Sequence, residues 1–202
     1  LEDIALMRIQ PKMVVLVPCD AEETRKATFA AAFNGSPTYI RFGREKSPVF
    51  TTKDTPFEIG RAIVLRDSPS GSSGQLLPQV AIIGCGMLLH NALVAAEELS
   101  KEGIECVVIN SHTIKPLDEA TIIAAAKQCG AVVSVEEHQV AGGLGSAVAE
   151  CLARNHPVPQ EFIGVQDRFG ESGSPSELLA AFHLDTPDIK NAVKKVLARK
   201  IQ

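Results

Sequence analysis

Residues 80–110 read VAIIGCGMLLHNALVAAEELSKEGIECVVIN, and this stretch decides the architecture. Val80-Ala-Ile-Ile83 is a short aliphatic run with no polar alternation, the pattern of a strand covered on both faces. A helical segment from about Leu89 to Lys101 follows, ended by Gly103, and Glu105 to Ile109 is the next strand. Downstream the alternation repeats. Asp118 caps a helix running to Cys129 and closed by Gly130, Ala131 to Val135 is a strand, Leu144 to Arg154 a helix, and Glu161 to Val165 a last short strand. Ser174-Pro175-Ser176-Glu177 and Thr186-Pro187 mark the starts of two more helices. Such alternation specifies a mostly parallel sheet with helices on both faces.

Upstream, Arg61 to Leu65 is a short strand, and the small-residue loop from Asp67 to Gly74 joins it to Val80 as a wide hairpin. One antiparallel strand is therefore expected, and the fold class is α/β: three layers around a mixed, mostly parallel sheet. The segment before it has a different character. Leu1 to Ile9 reads as a helix stopped by Pro11, and Met13 to Val17 as a covered strand. Asp20 and Glu23 have capping-box spacing for an alanine-rich helix to Phe33, closed by Asn34-Gly35, and Thr38 to Phe42 is a strand. This is one βαβ unit, and two parallel strands do not make a stable sheet alone. Residues 1–48 are thus expected to be the remnant of a larger α/β domain, residues 49–202 a second domain, and Ser47 to Pro56 the linker between them.

The 202 residues are 45% hydrophobic, ample for a core. Twenty basic against twenty-four acidic residues give a net charge of −4 with no Lys/Arg block, which argues against nucleic acid and membrane as partners. No apolar stretch approaches the ~18 residues of a membrane span. Five scattered cysteines without C-x-x-C or Cys/His ligand spacing read as reduced, buried thiols of a cytoplasmic protein.

Few residues suggest chemistry. Gly84-Cys85-Gly86 stands between a strand and a helix, but Leu89 occupies the place of the third glycine of a dinucleotide turn, and Asn110 that of the ribose-binding acid. A tight turn is the plainer reading. Glu136-Glu137-His138 lies past a strand's carboxyl end, and Gly142-Gly143-Leu144-Gly145-Ser146 enters a helix in a geometry that can hold an anion. Acids beside that turn would repel phosphate, so glycines permitting close packing are the stronger reading. His90 and His112 read as loop residues near strand ends, and His156 and His183 as surface or helix-end residues. No pair has metal-ligand spacing on one helix. Arg41 and Arg44 follow the last strand of the βαβ unit to its carboxyl end, where a guanidinium suits a phosphate or carboxylate. Arg41 lies inside the strand and fits a structural pair; Arg44, past Gly43, can reach a cleft.

Taken in order, these strings resemble the C-terminal third of transketolase: Leu1 to Arg8, Pro18-Cys-Asp20, Tyr39-Ile-Arg-Phe-Gly-Arg44, Val80 to Gly86, Thr113-Ile-Lys-Pro-Leu-Asp118, Val135-Glu-Glu-His138, Gly142-Gly-Leu-Gly145, Phe169-Gly-Glu-Ser-Gly173 and Glu177-Leu-Leu179. Deoxyxylulose-phosphate synthase and the β subunits of 2-oxoacid dehydrogenases share the architecture. An arginine at Arg44 resembles the one that grips the sugar phosphate, which a dehydrogenase β subunit has no need of, while Val165 to Phe169 keeps the synthase open. A non-catalytic α/β binding or assembly module is the other alternative.

The resemblance implies an enzyme that uses thiamine diphosphate and Mg2+ to move a two-carbon ketol unit between sugar phosphates, as a homodimer or heterotetramer. It implies residues 1–48 as the end of the pyrimidine-binding domain and 49–202 as the transketolase C-terminal domain. The family's activating glutamate, catalytic histidines and Gly-Asp-Gly metal motif match nothing here. Arg44 is the one site residue carried over, as substrate-phosphate-binding. No catalytic, cofactor-binding or metal residue is assigned, and the chain is expected to need an N-terminal transketolase region or subunit as partner, being inactive alone.

Overall fold

The computed structural model describes residues 1–44, 46–67 and 77–200. The strands expected at Val80 and Glu105 are β4 (Val80–Gly84) and β5 (Cys106–Asn110), lying parallel and joined by α3 (Leu89–Lys101). β7 (Val132–Gln139) lies parallel on the other side of β4, reached through α4 (Glu119–Cys129). α5 (Leu144–Asn155) leads to β8 (Gln160–Val165), parallel to β7. β3 (Ile63–Arg66) closes the opposite edge, giving the order β3-β5-β4-β7-β8. The antiparallel strand is there, but the expected hairpin is not. β3 pairs with β5, not with the β4 strand that follows it, because β5 is the strand whose edge stays open beside β4. Most of the loop from Asp67 to Gly74 lies outside the described residues.

Two fully aliphatic faces explain why this sheet is covered twice. Val80 and Ile82 pack with Ala92, Ala96 and Leu99 of α3 and with Ile189, Val193 and Val196 of α7 (Thr186–Lys200). Ala81 and Ile83 pack with Ile122 and Ala126 of α4 and with Leu144 and Val148 of α5. Each such residue is at most 1% exposed, worth about 1.5–3 kcal/mol for a large aliphatic side chain. The helix ends follow the sequence signals. Asp118 accepts the Thr121 N–H, and Gly130 ends α4 in the left-handed region at φ 70°. Ser174 and Glu177 form a reciprocal capping box on α6 (Pro175–Ala181).

The amino-terminal segment is α1 (Asp3–Arg8), β1 (Val14–Leu16), α2 (Ala21–Phe33) and β2 (Thr38–Ile40), with β1 and β2 parallel as expected. What the sequence did not announce is β6 (Thr113–Lys115), which pairs antiparallel with β1 and makes a three-stranded sheet β2-β1-β6. Ile4, Val15 and Val17 join the same core as α4 and α5. Residues 50–62 are bonded to both parts. The Asp20 carboxylate accepts from Phe50 N, Thr51 N and Thr51 Oγ1, Lys26 Nζ donates to Thr52 O and Thr55 O, and Ala62 N donates to Asp118.

Candidate functional site

The carboxyl ends of β2, β4, β7 and β8 converge on two neighbouring cavities. One, of about 470 Å³, is lined by Cys19, Asp20, Thr24, Arg41, Lys46 and Glu137. The other, of about 370 Å³, has an apolar floor including Val165, Leu179 and Phe182, with Arg44, Glu137 and Glu171 among its polar residues. Gly43, Met87 and Glu137 border both. Arg44 is exposed at the second cavity, three residues past the last backbone bond of its strand extension, Arg41 N to Leu16 O at 2.8 Å.

Arg41 is committed elsewhere. Its Nε lies 3.0 Å from Asp3 Oδ2, and its Nη1 is 4.0 Å from Glu137 Oε2. Tyr39 Oη donates to the same Asp3 oxygen at 2.9 Å. Burial alone would raise the Asp3 carboxyl, but the Arg41 guanidinium and the Tyr39 hydroxyl hold it below its ordinary value. The structural pair is the reading the geometry supports for Arg41.

The glycine-rich turn holds an anion, and that anion is the protein's own. Glu136, 1% exposed, accepts Leu144 N at 2.7 Å and Gly145 N at 2.8 Å, so its carboxylate fills the amino end of α5. A Cβ on Gly143 would sit 2.1 Å from Glu136 Oε2, and one on Gly145 2.6 Å from Ser134 Oγ, so close packing is what those glycines permit. Burial pushes the Glu136 carboxyl up to about 7, against the two N–H donors. His138 is held neutral by burial: Nδ1–H donates to Gln139 O at 2.7 Å and Nε2 accepts from Ala5 N at 3.4 Å, tying α1 to β7. No ligand is needed to explain either residue, and only Glu137 of the three faces the cavities.

The Gly84-Cys85-Gly86 turn is likewise filled from within. Gly86, at φ 66°, donates its N–H to Val17 O at 3.1 Å, and a Cβ there would meet Val17 Cγ1 at 3.2 Å. It docks β1 on the large sheet. His90 is in the first turn of α3 rather than in a loop, tilted against Phe50. His112 is buried between β5 and β6, stacked on Phe57 at 4.2 Å between centroids, and burial takes it down to about 4. The pairings of Arg41 with Asp3 and Glu137, and of Glu23 with Asn110, were not foreseen from the sequence. The partners lie 38, 96 and 87 positions apart, beyond any local spacing signal.

Among the described residues no group of three or more His, Cys, Asp or Glu side chains is gathered for a metal ion. Among the described residues, no helix is long and apolar enough to cross a membrane.

Residues 75–189 match the model of the transketolase C-terminal domain. The chain belongs to the transketolase family. It is 38% identical over 200 residues to a 6-deoxy-6-sulfo-D-fructose transketolase subunit of Clostridium sp. (strain MSTE9), covering 99% of this chain and 59% of that protein. It is 38% identical to transketolase-like protein 2 of Homo sapiens, covering 98% of this chain and 31% of that protein. A solved structure described as a split-gene transketolase in an inactive β4 tetramer superposes with a TM-score of 0.91 at 42% identity, covering 98% of this chain and 62% of that one. The chain thus spans about three fifths of the subunit-type relatives and about a third of the mammalian ones.

Proposed function

We propose that this chain is the C-terminal region, or part of the smaller subunit, of a transketolase that moves a two-carbon ketol unit from a ketose phosphate to an aldose phosphate. Residues 1–48 complete a pyrimidine-binding domain and residues 49–202 form the C-terminal domain. Thiamine diphosphate and Mg2+ supply the carbanion chemistry and are held by a complementary N-terminal region or subunit, so the chain alone does not turn over sugars. Its own contribution is Arg44, which grips the anionic end of the sugar. The observation that carries this is the exposed Arg44 guanidinium at the rim of the 370 Å³ cavity, past the carboxyl end of a parallel strand.

The relative named for 6-deoxy-6-sulfo-D-fructose supports a second option for the substrate's tail. A guanidinium fork accepts a sulfonate as it accepts a phosphate. In the chain mixed with its complementary polypeptide, Arg44→Ala should raise the KM for a sugar phosphate or sulfonate about tenfold or more. The KM for thiamine diphosphate should stay near wild type. Loss of cofactor binding with an unchanged sugar KM refutes the role.

A further inference from the structure

Arg41 stands three residues before the arginine given to the substrate anion, yet its guanidinium faces two carboxylates of the fold. Nε is within 3.0 Å of Asp3 Oδ2 and 3.3 Å of Oδ1, Nη1 is 4.0 Å from Glu137 Oε2, and the side chain is 17% exposed. Asp3 belongs to α1, Arg41 follows β2, and Glu137 belongs to β7, so one planar fork ties three elements from both parts of the chain. Tyr39 reinforces the tie from β2 by donating to Asp3. With two acids beside it, Arg41 presents little net positive field to a ligand. Beyond it the chain leaves the sheet: Phe42 and Gly43 are exposed, and a Cβ on Gly43 would touch Met87 Sδ at 3.5 Å. Arg44 lies on the stretch of chain that leaves the strand just beyond the Arg41 pairing, and Glu137 borders the cavity that Arg44 also lines.

We propose that Arg41 is a positioning residue: held by Asp3 and Glu137, it fixes the exit of β2 so that Arg44 meets the substrate anion, and it does not touch that anion itself. This rests on the Arg44 reading above.

The test is a double-mutant cycle in the chain assembled with its complementary polypeptide, thiamine diphosphate and Mg2+, with ribose 5-phosphate as acceptor. Arg41→Ala should raise the acceptor KM about fivefold to twentyfold, with kcat within about twofold, because orientation of a binding group rather than the chemistry is lost. In an Arg44→Ala background the same change should do less than about twofold, because it acts through Arg44. An uncharged short aldehyde acceptor should be indifferent to both changes. Arg41→Lys should behave as Arg41→Ala, since an ammonium cannot span two carboxylates as a fork does. Additive losses mean that Arg41 binds the anion directly and overturn the proposal, as does an unchanged KM for Arg41→Ala where Arg44→Ala raises it. An unchanged KM for Arg44→Ala instead fails the Arg44 reading itself. If Arg41→Ala does not assemble, Asp3→Asn enters the same cycle, where a KM increase of about twofold to fivefold is expected and no change overturns the proposal.

Discussion

Replacing Gly143 by alanine tests the fold at its most crowded polar point. The backbone there, φ −80° and ψ −153°, suits any residue, so strain contributes nothing. Contact decides the outcome. The new Cβ would lie 2.1 Å from Glu136 Oε2, 2.7 Å from Cδ and 2.8 Å from Oε1, against an ordinary separation above about 3.4 Å. The carboxylate must retreat by more than about 1 Å, which breaks its bonds from Leu144 N at 2.7 Å and Gly145 N at 2.8 Å. Above pH 7, where the carboxyl is ionised, each is a hydrogen bond to a charged group worth about 1.5–3 kcal/mol, so the loss there should be about 3–6 kcal/mol, a large share of a typical folding free energy. Urea unfolding followed by far-UV circular dichroism measures it. Gly103→Ala is the control: φ is 82° and nothing lies within 4 Å of the added Cβ, so only about 1–2 kcal/mol of left-handed strain is expected. In a Glu136→Ala background, Gly143→Ala should cost less than about 1 kcal/mol, because no carboxylate remains to be displaced. Equal losses with and without Glu136, or a loss below 1 kcal/mol in the wild-type background, would refute the reasoning.

The Asp20 carboxylate accepts Glu23 N at 2.9 Å as the cap of α2, and Phe50 N, Thr51 N and Thr51 Oγ1 at 3.0, 2.7 and 2.7 Å. Asp20→Ala should therefore cost about 2–4 kcal/mol and speed tryptic cleavage after Lys53; unchanged cleavage kinetics would count against Asp20 tethering residues 50 and 51. Two buried groups give opposite pH dependences. His112 titrates near 4 in the folded chain and near 6.5 when unfolded, so its contribution is full above pH 6.5 and disappears as pH falls toward 4. Glu136, raised to about 7 from an ordinary 4.5, contributes fully below 4.5 and loses that contribution as pH rises through 7. Each spans about 3 kcal/mol, and between pH 4.5 and 6.5 the slopes oppose. His112→Gln should thus become more stable relative to wild type by about 2 kcal/mol on going from pH 7 to pH 5; urea midpoints that keep the wild-type pH dependence would disprove it.

The residues that announced themselves were those whose signal is local. Val80 to Ile83 and Cys106 to Ile109 are aliphatic on both faces, and Asp118, Gly130 and Ser174 mark helix ends through bonds to near neighbours. β6 escaped because Thr-Ile-Lys carries no period and pairs with Val15 and Leu16, about a hundred positions away. β7 runs on to Gln139 through Glu136 and His138, polar side chains that read as a loop until their buried partners are seen. Of the residues that line the two cavities, the sequence offers Arg44 as a substrate contact, through its place past a strand and its likeness to a family motif, and shows Arg41 and Glu137 without their partners. Arg41 as a structural pair was one of two open readings, and its partners on α1 and β7 carry no trace in the residues around them.

The loan of Thr113–Lys115 to β1 has a practical corollary for anyone building chimaeras from relatives of this chain. A graft joined anywhere in residues 49–62 exchanges β6 for a foreign sequence while keeping the native edge it must zip onto. Transplants should therefore move Val14–Leu16 and Thr113–Lys115 together, or match the alternation of the two, if the hybrid is to mature as a single cooperative body.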